Sequence, residues 1–137
     1  MQQPEPRGIR NNNPGNLRHS KTIWMGQDDE QPDKEFVKFE APKYGIRALY
    51  KVLLTYQAKH NLKTVADIIN RWAPPSENDT GAYVRSVAKA CGIDADTPVD
   101  VAKRPMGLRI VKAIINHENG QQPYTDELIT EAIELAL

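Results

Sequence analysis

The chain has a single cysteine, Cys91, which excludes an intramolecular disulfide framework and any cysteine-rich metal site. It falls on the apolar side of a helical pattern and reads as a small buried hydrophobe. Net charge is absent as well, because 18 Lys plus Arg balance 18 Asp plus Glu. No broad field is left to draw in nucleic acid or anionic lipid, so neither nucleic acid nor membrane is an expected partner. No apolar run approaches the roughly 18 residues of a spanning helix. The opening "MQQPEPRGIRNNNPGN" has neither an apolar stretch nor a small-residue cleavage site, and the expectation is a protein made soluble and without a secretory signal.

Catalytic motifs are scarce too. His19, His60 and His117 are far apart in sequence, none forms a His-x-x-x-His pair, and no acidic loop has calcium spacing, so neither metal nor cofactor is expected. There is no Gly-x-Ser-x-Gly for a nucleophilic serine and no glycine-rich phosphate cradle.

What is present is organised as one domain over residues 1–137, long enough to bury a core without covalent staples. Pro4, Pro6, Gly8, Asn11 to Asn13, Pro14 and Gly15 favour turns, so the first stretch reads as an irregular loop. Two β-prone pieces, Thr22 to Met25 and Glu35 to Phe39, flank the polar "GQDDEQPD" and predict a small hairpin. Phe36 and Phe39 cannot share one face of a strictly alternating strand.

The period then becomes helical. Ile46, Leu49, Tyr50, Leu53 and Leu54 form one face of a helix from Tyr44 to about Lys59. Thr64 with Asp67 resembles a capping box ahead of Val65, Ile68, Ile69 and Trp72, and Pro74-Pro75 stops that helix. Asp79 or Thr80 caps a stripe of Tyr83, Val84, Val87 and Cys91 that ends at Gly92. Leu108, Val111, Ile114 and Ile115 lead to Asn119-Gly120, and Thr125 caps a last helix carrying Leu128, Ile129, Ala132, Ile133 and Ala136. The fold class is mostly α (α+β), with five or six helices and a small β-hairpin near the N-terminus.

Carboxylate chemistry is what these absences leave. In "IINHENGQQPY", Glu118 stands where a helix runs out. A carboxylate at a helix C-terminus meets the negative end of the helix dipole, which opposes ionisation, the direction of effect that a general acid needs. The bland alternative is a solvated glutamate at a frayed helix end. His117 points about 100° away and reads as a helix-end cation.

A second cluster is "RWAPPSENDTGAY", where Arg71, Trp72, Glu77, Asn78, Thr80 and Tyr83 gather rings, donors and acceptors. Aromatic faces cover the apolar side of a pyranose while amides and hydroxyls satisfy its rim. A proline-rigid turn followed by a helix cap would use the same residues. In "RGIRNNNPGNLR" the amides of Asn12, Asn13 and Asn16 either build turns or line a groove. Tyr124 completes the candidate substrate-binding set.

Five segments in order, "RGIRNNNPGNLR", "WMGQ", "FVKFEAPKYGIRAL", "IINRWAPPSENDTGAYVRSV" and "AIINHENGQQPY", resemble the lysozyme-like superfamily, specifically small phage-associated virion proteins with a lysozyme-like domain. A fainter likeness is to flagellar-type glucosaminidases, in which an acid-ending helix precedes an Asn-Asn-x-x-Gly segment and a hairpin. Here the acid-ending helix lies at the other end of the chain, which suggests a circularly permuted lysozyme fold; permutation is tolerated where termini lie close together.

The resemblance implies Glu118 as catalytic acid, with the "NNNPGN" loop and hairpin forming one wall of a cleft and "APPSENDTGAY" the other. It implies a peptidoglycan-cleaving glycosidase, muramidase or lytic transglycosylase, acting on β-1,4 bonds. A hydrolase needs a second carboxylate, for which Glu77 leads, followed by Asp79 and then Glu35 and Glu40. A transglycosylase needs one acid/base alone. Asn119 follows the acid where many relatives carry Ser. The alternatives are a non-catalytic peptidoglycan-binding module and a structural virion protein. Bacterial peptidoglycan is the implied partner, together with other virion proteins. The protein is expected to be a monomer, made in the bacterial cytoplasm and acting on the periplasmic cell wall.

Overall fold

The computed structural model describes residues 5–137; the start of the stretch expected to be irregular and without a secretory signal, Pro4 included, lies outside them. The described chain is mostly helical: α1 (Arg7–Arg10), α2 (Pro42–His60), α3 (Val65–Trp72), α4 (Thr80–Cys91), α5 (Arg104–Asn119) and α6 (Asp126–Ala136).

Local chemistry sets most of these boundaries. The side chains of Thr64, Asp79 and Thr125 each accept from an amide three residues on, those of Asp67, Ala82 and Leu128 respectively, satisfying donors that have no partner within the helix. Gly92 and Gly120 close α4 and α5 in left-handed conformations, which place no Cβ against the preceding carbonyl. Pro42 and Pro105 stand in the first turns of α2 and α5, where a missing N–H removes no helical bond.

α5 is the hub of the bundle. It meets α1, α2, α4 and α6, while α2 also packs along α6 and α3 on α4. Its Ile110, Val111, Ala113, Ile114 and Ile115 are all buried, a wide apolar face that is opposed by a polar side of Arg109, Lys112 and Asn116. Burying each of its isoleucines contributes roughly 1.5–3 kcal/mol. Ile46, Leu49 and Leu53 of α2, Ile68 and Ile69 of α3, and Ile129 and Ile133 of α6 complete this core. Cys91 is buried within it at 3% exposure, and burial pushes its thiol up, against a smaller opposing effect of Arg109.

The N-terminal region departs from expectation in two ways. Residues 7–10 form one helical turn, α1, with no side-chain cap. The hairpin predicted from Thr22 to Met25 and Glu35 to Phe39 does not form: among the described residues only isolated antiparallel bridges join Arg18 to Phe36 and Gln27 to Phe39. Side-chain amides take the bonds a ladder would use. Asn13 donates to the carbonyls of Leu17 and Val37, and Gln31 both donates to the Lys38 carbonyl and accepts from its amide. Asn12 donates to the Phe39 carbonyl. Val37 and Phe39, two apart, are buried in a small satellite cluster with Ala48, while Phe36 faces the other way. The Thr22–Met25 stretch carries Ile23 at 80% exposure.

This asparagine-laced loop is clamped onto the bundle at Gly45, where a Cβ would lie 1.9 Å from the carbonyl oxygen of Asn12. No residue with a side chain can occupy that contact without moving α2 away from the loop.

Candidate functional site

Glu118 lies in the last turn of α5, where the hub helix emerges from the core. Its side chain is half-buried and receives three hydrogen bonds from three separate parts of the chain. Asn16 donates to Oε1 at 3.0 Å, and Trp72 Nε1 and the Tyr83 hydroxyl donate to Oε2 at 3.3 and 2.7 Å. No Lys, Arg or His side chain pairs with it among the described residues. A carboxylate held by uncharged donors is fixed in direction while its charge is left uncancelled by a cation.

Each donor is itself constrained. Asn16 has φ 52, a left-handed conformation that asparagine tolerates better than most residues, and this turns its amide toward α5. Trp72 ends α3 at the proline pair that breaks the helix. Tyr83 is 2% exposed, and its ring stacks on that of His117 with centroids 3.7 Å apart. Its hydroxyl is pushed well above the ordinary tyrosine range, first by burial and then by the Glu118 charge and hydrogen bond, against an opposing bond with Trp72. It therefore stays protonated, and a donor, at neutral pH.

Behind the acid, Asn119 donates to the carbonyls of Pro14 and Ile115. The side-chain oxygens of Asn16 and Asn119 are buried with no hydrogen-bond donor among the described residues. Both converge on Gly8: a Cβ there would meet Asn119 Oδ1 at 2.6 Å, Asn16 Oδ1 at 2.8 Å and the Asn13 carbonyl at 2.9 Å. A side chain at this position would force these groups to shift.

Glu118 opens onto a cleft of about 360 Å³, within the range of small-molecule sites. One wall is Gly15, Asn16, Leu17, Arg18 and Phe36; the other is Trp72, Ala73, Pro74, Glu77 and Asn78; α2 supplies Val52 and Tyr56 between them. The two sequence regions flanking the cleft are thus the asparagine-rich loop and the "RWAPPSEN" segment.

The candidate residues divide accordingly. Glu118, Asn16, Trp72, Glu77 and Asn78 share the cleft. Asn13 is fully buried and its amide is committed to backbone, and Asn12 binds Phe39, so these two build the wall rather than line it. Thr80 is buried and its hydroxyl donates to the Ala73 carbonyl, bracing the start of α4. Tyr83 reaches the site only through its hydroxyl on Glu118. Tyr124 lies outside the cleft; its hydroxyl is buried without a partner among the described residues and is pushed up to about 12 by burial, with a smaller effect of Glu5.

Among the carboxylates, Asp79 caps α4, Glu35 pairs with Arg18 and Arg7, and Glu40 is exposed away from the cleft. Glu77 alone of the four faces the cleft that Glu118 lines. Arg18, Phe36, Val52 and Tyr56 were not legible as site residues. Val52 and Tyr56 follow Leu49 and Leu53 by three residues on α2 and extend the edge of the same apolar face, and that extension was the available signal. No group of three or more His, Cys, Asp or Glu side chains converges among the described residues, and no described helix is long and apolar enough to cross a membrane.

No family model matches the sequence. The chain is 37% identical over 131 residues to Protein P5 of Pseudoalteromonas phage PM2, an alignment that covers 93% of this chain and 80% of that protein. It therefore belongs to the same family as this bacteriophage protein.

Proposed function

We propose that the protein is a peptidoglycan-cleaving glycosidase of lysozyme-like type, with Glu118 as general acid. The observation that carries this reading is the setting of Glu118 in a cleft, aimed by Asn16, Trp72 and Tyr83 and unpaired with any cation among the described residues. In the proposed step Glu118 gives its proton to the glycosidic oxygen as the bond to the anomeric carbon breaks and oxocarbenium character develops. The leaving sugar departs with that proton as its hydroxyl.

Two completions fit this cleft. With Glu77 as the second carboxylate, a hydrolase results, and water ends up on the anomeric carbon. With Glu118 alone, the 6-hydroxyl of the same sugar attacks the anomeric carbon and returns its proton to Glu118, giving an anhydro product by transglycosylation. The cleft's aromatic groups, Trp72, Tyr56 and Phe36, suit the apolar faces of sugar rings. Kinship with a bacteriophage protein supports a role in passage of a phage through the cell wall, as a virion component.

Purified protein should release soluble fragments from peptidoglycan, and Glu118→Gln should abolish the release. Mass spectrometry of the products separates anhydro from reducing ends. Binding to insoluble peptidoglycan without release by the unaltered chain would replace the glycosidase by a binding module.

A further inference from the structure

We propose that Arg18, standing over Phe36, is a carboxylate-recognising subsite, so that the cleft selects glycans bearing acidic substituents over neutral ones. The proposal rests on the reading of the cleft as a glycan site and specifies what the glycan must carry.

Two guanidinium groups share the Phe36 ring, Arg7 at 4.6 Å and Arg18 at 5.1 Å from its centroid. They are held very differently. Arg7 forms a two-pronged pair with Asp33 at 2.6 and 2.7 Å, and the Asp33 side chain is only 9% exposed. Asp33 also accepts from the Asn11 side chain and from the amides of Glu35 and Phe36. Arg7 is thus a fixed structural cation that holds the ring in place.

Arg18 has no such commitment. Among the described residues its one ionic contact is a 3.3 Å pair with Glu35, in which the side chains are 61% and 54% exposed. An exposed pair of this kind contributes roughly 0–1 kcal/mol. Exchanging Glu35 for a carboxylate on a ligand is therefore close to neutral in the protein's own energy. Glu35 is not stranded by the exchange, because Arg7 lies 3.6 Å from its other oxygen.

Position adds the second half of the case. Arg18 and Phe36 both line the cleft that contains Glu118, and Arg18 follows Asn16, the donor to Glu118 Oε1, by two residues. Two residues span at most roughly 7 Å, so Arg18 and the donor to Glu118 stand on the same wall of the cleft. A neutral amino-sugar chain would be served by ring faces and amides alone. A planar fork resting on an aromatic ring, with an exchangeable partner, matches an acidic group: the free carboxylates of the stem peptide carried by a muramyl sugar.

The test uses binding, which does not depend on turnover. The full chain carrying Glu118→Gln is titrated calorimetrically with soluble disaccharide-peptide fragments of peptidoglycan, and with the same fragments after their carboxyls have been converted to amides. Adding Arg18→Gln should weaken binding of the acidic fragments about three- to tenfold and leave the amidated ones unchanged, with Arg18→Lys in between. Equal affinity with and without Arg18, an equal loss on both fragment types, or no binding of the acidic fragments overturns the subsite. Failure of the glycosidase reading is seen separately, as an absence of fragment release by the unaltered chain.

Discussion

Replacing Tyr83 by Phe isolates one hydrogen bond at the acid. The ring that fills the core and stacks on His117 is kept, and only the hydroxyl that donates to Glu118 Oε2 at 2.7 Å is lost. A hydrogen bond to a neutral carboxyl, the form that gives up its proton, is worth about 0.5–1.5 kcal/mol, and each 1.4 kcal/mol is a factor of ten in rate. If the whole of that bond served to aim the acid, the loss in kcat would be roughly 2- to 12-fold. Asn16 and Trp72 still hold the carboxyl group, so the expected loss lies at the low end, about threefold. Thermal unfolding should change little, by about 1 kcal/mol or some 4 °C for a domain of this size. The assay is release of soluble fragments from peptidoglycan at saturating substrate, alongside a melting curve. Full kcat in Tyr83→Phe would refute the claim that the hydroxyl aims Glu118.

Two further substitutions probe the supports. Gly8→Ala places a methyl group 2.6 Å from Asn119 Oδ1 and 2.8 Å from Asn16 Oδ1, and should cost about 1–3 kcal/mol in urea unfolding together with much of the activity; a neutral result would show that the loop gives way freely. Asp33 has its carboxyl held well below the usual range, chiefly by the Arg7 hydrogen bond and further by Asn11 and the amides of Phe36 and Glu35, against a desolvation effect. A carboxyl lowered in the folded state stabilises the fold above its unfolded value near 4 and loses that contribution as pH falls through the folded value. Melting curves of the unaltered chain should therefore fall below about pH 4, and Asp33→Asn should be less stable at neutral pH with a flatter acid limb; identical pH profiles would contradict the assignment.

Helix α2 was legible from its apolar period, and α3 to α6 also because an end of each is written in residues that act locally. Thr64, Asp79 and Thr125 satisfy amides three residues away, and Gly92 and Gly120 need no distant partner to adopt left-handed turns. The N-terminal region was not legible because its bonds are long-range. The amide of Asn13 reaches Val37, 24 residues on, in place of a strand, and the single turn of α1 is too short to carry a periodic pattern. At the site, Glu118 was legible from its odd position at a helix end, and Trp72, Glu77 and Asn78 from the mix of rings and polar groups. Tyr83 was read as a sugar contact, yet it is a buried donor to the acid, since a tyrosine in an apolar stripe looks the same whichever way its hydroxyl points. Arg18 and Phe36 become site residues only when the loop folds across the bundle.

The central claim is that Glu118 supplies the proton that breaks a glycosidic bond. The most direct measurement compares fragment release from purified peptidoglycan by the unaltered chain and by Glu118→Gln, with circular dichroism to confirm that both are folded. Glutamine retains an acceptor for the Tyr83 and Trp72 donors but has no proton to give. The account predicts release by the unaltered chain and a loss of at least about 100-fold in the variant, in line with the contribution of general acid catalysis. Equal release by the two folded proteins would contradict it.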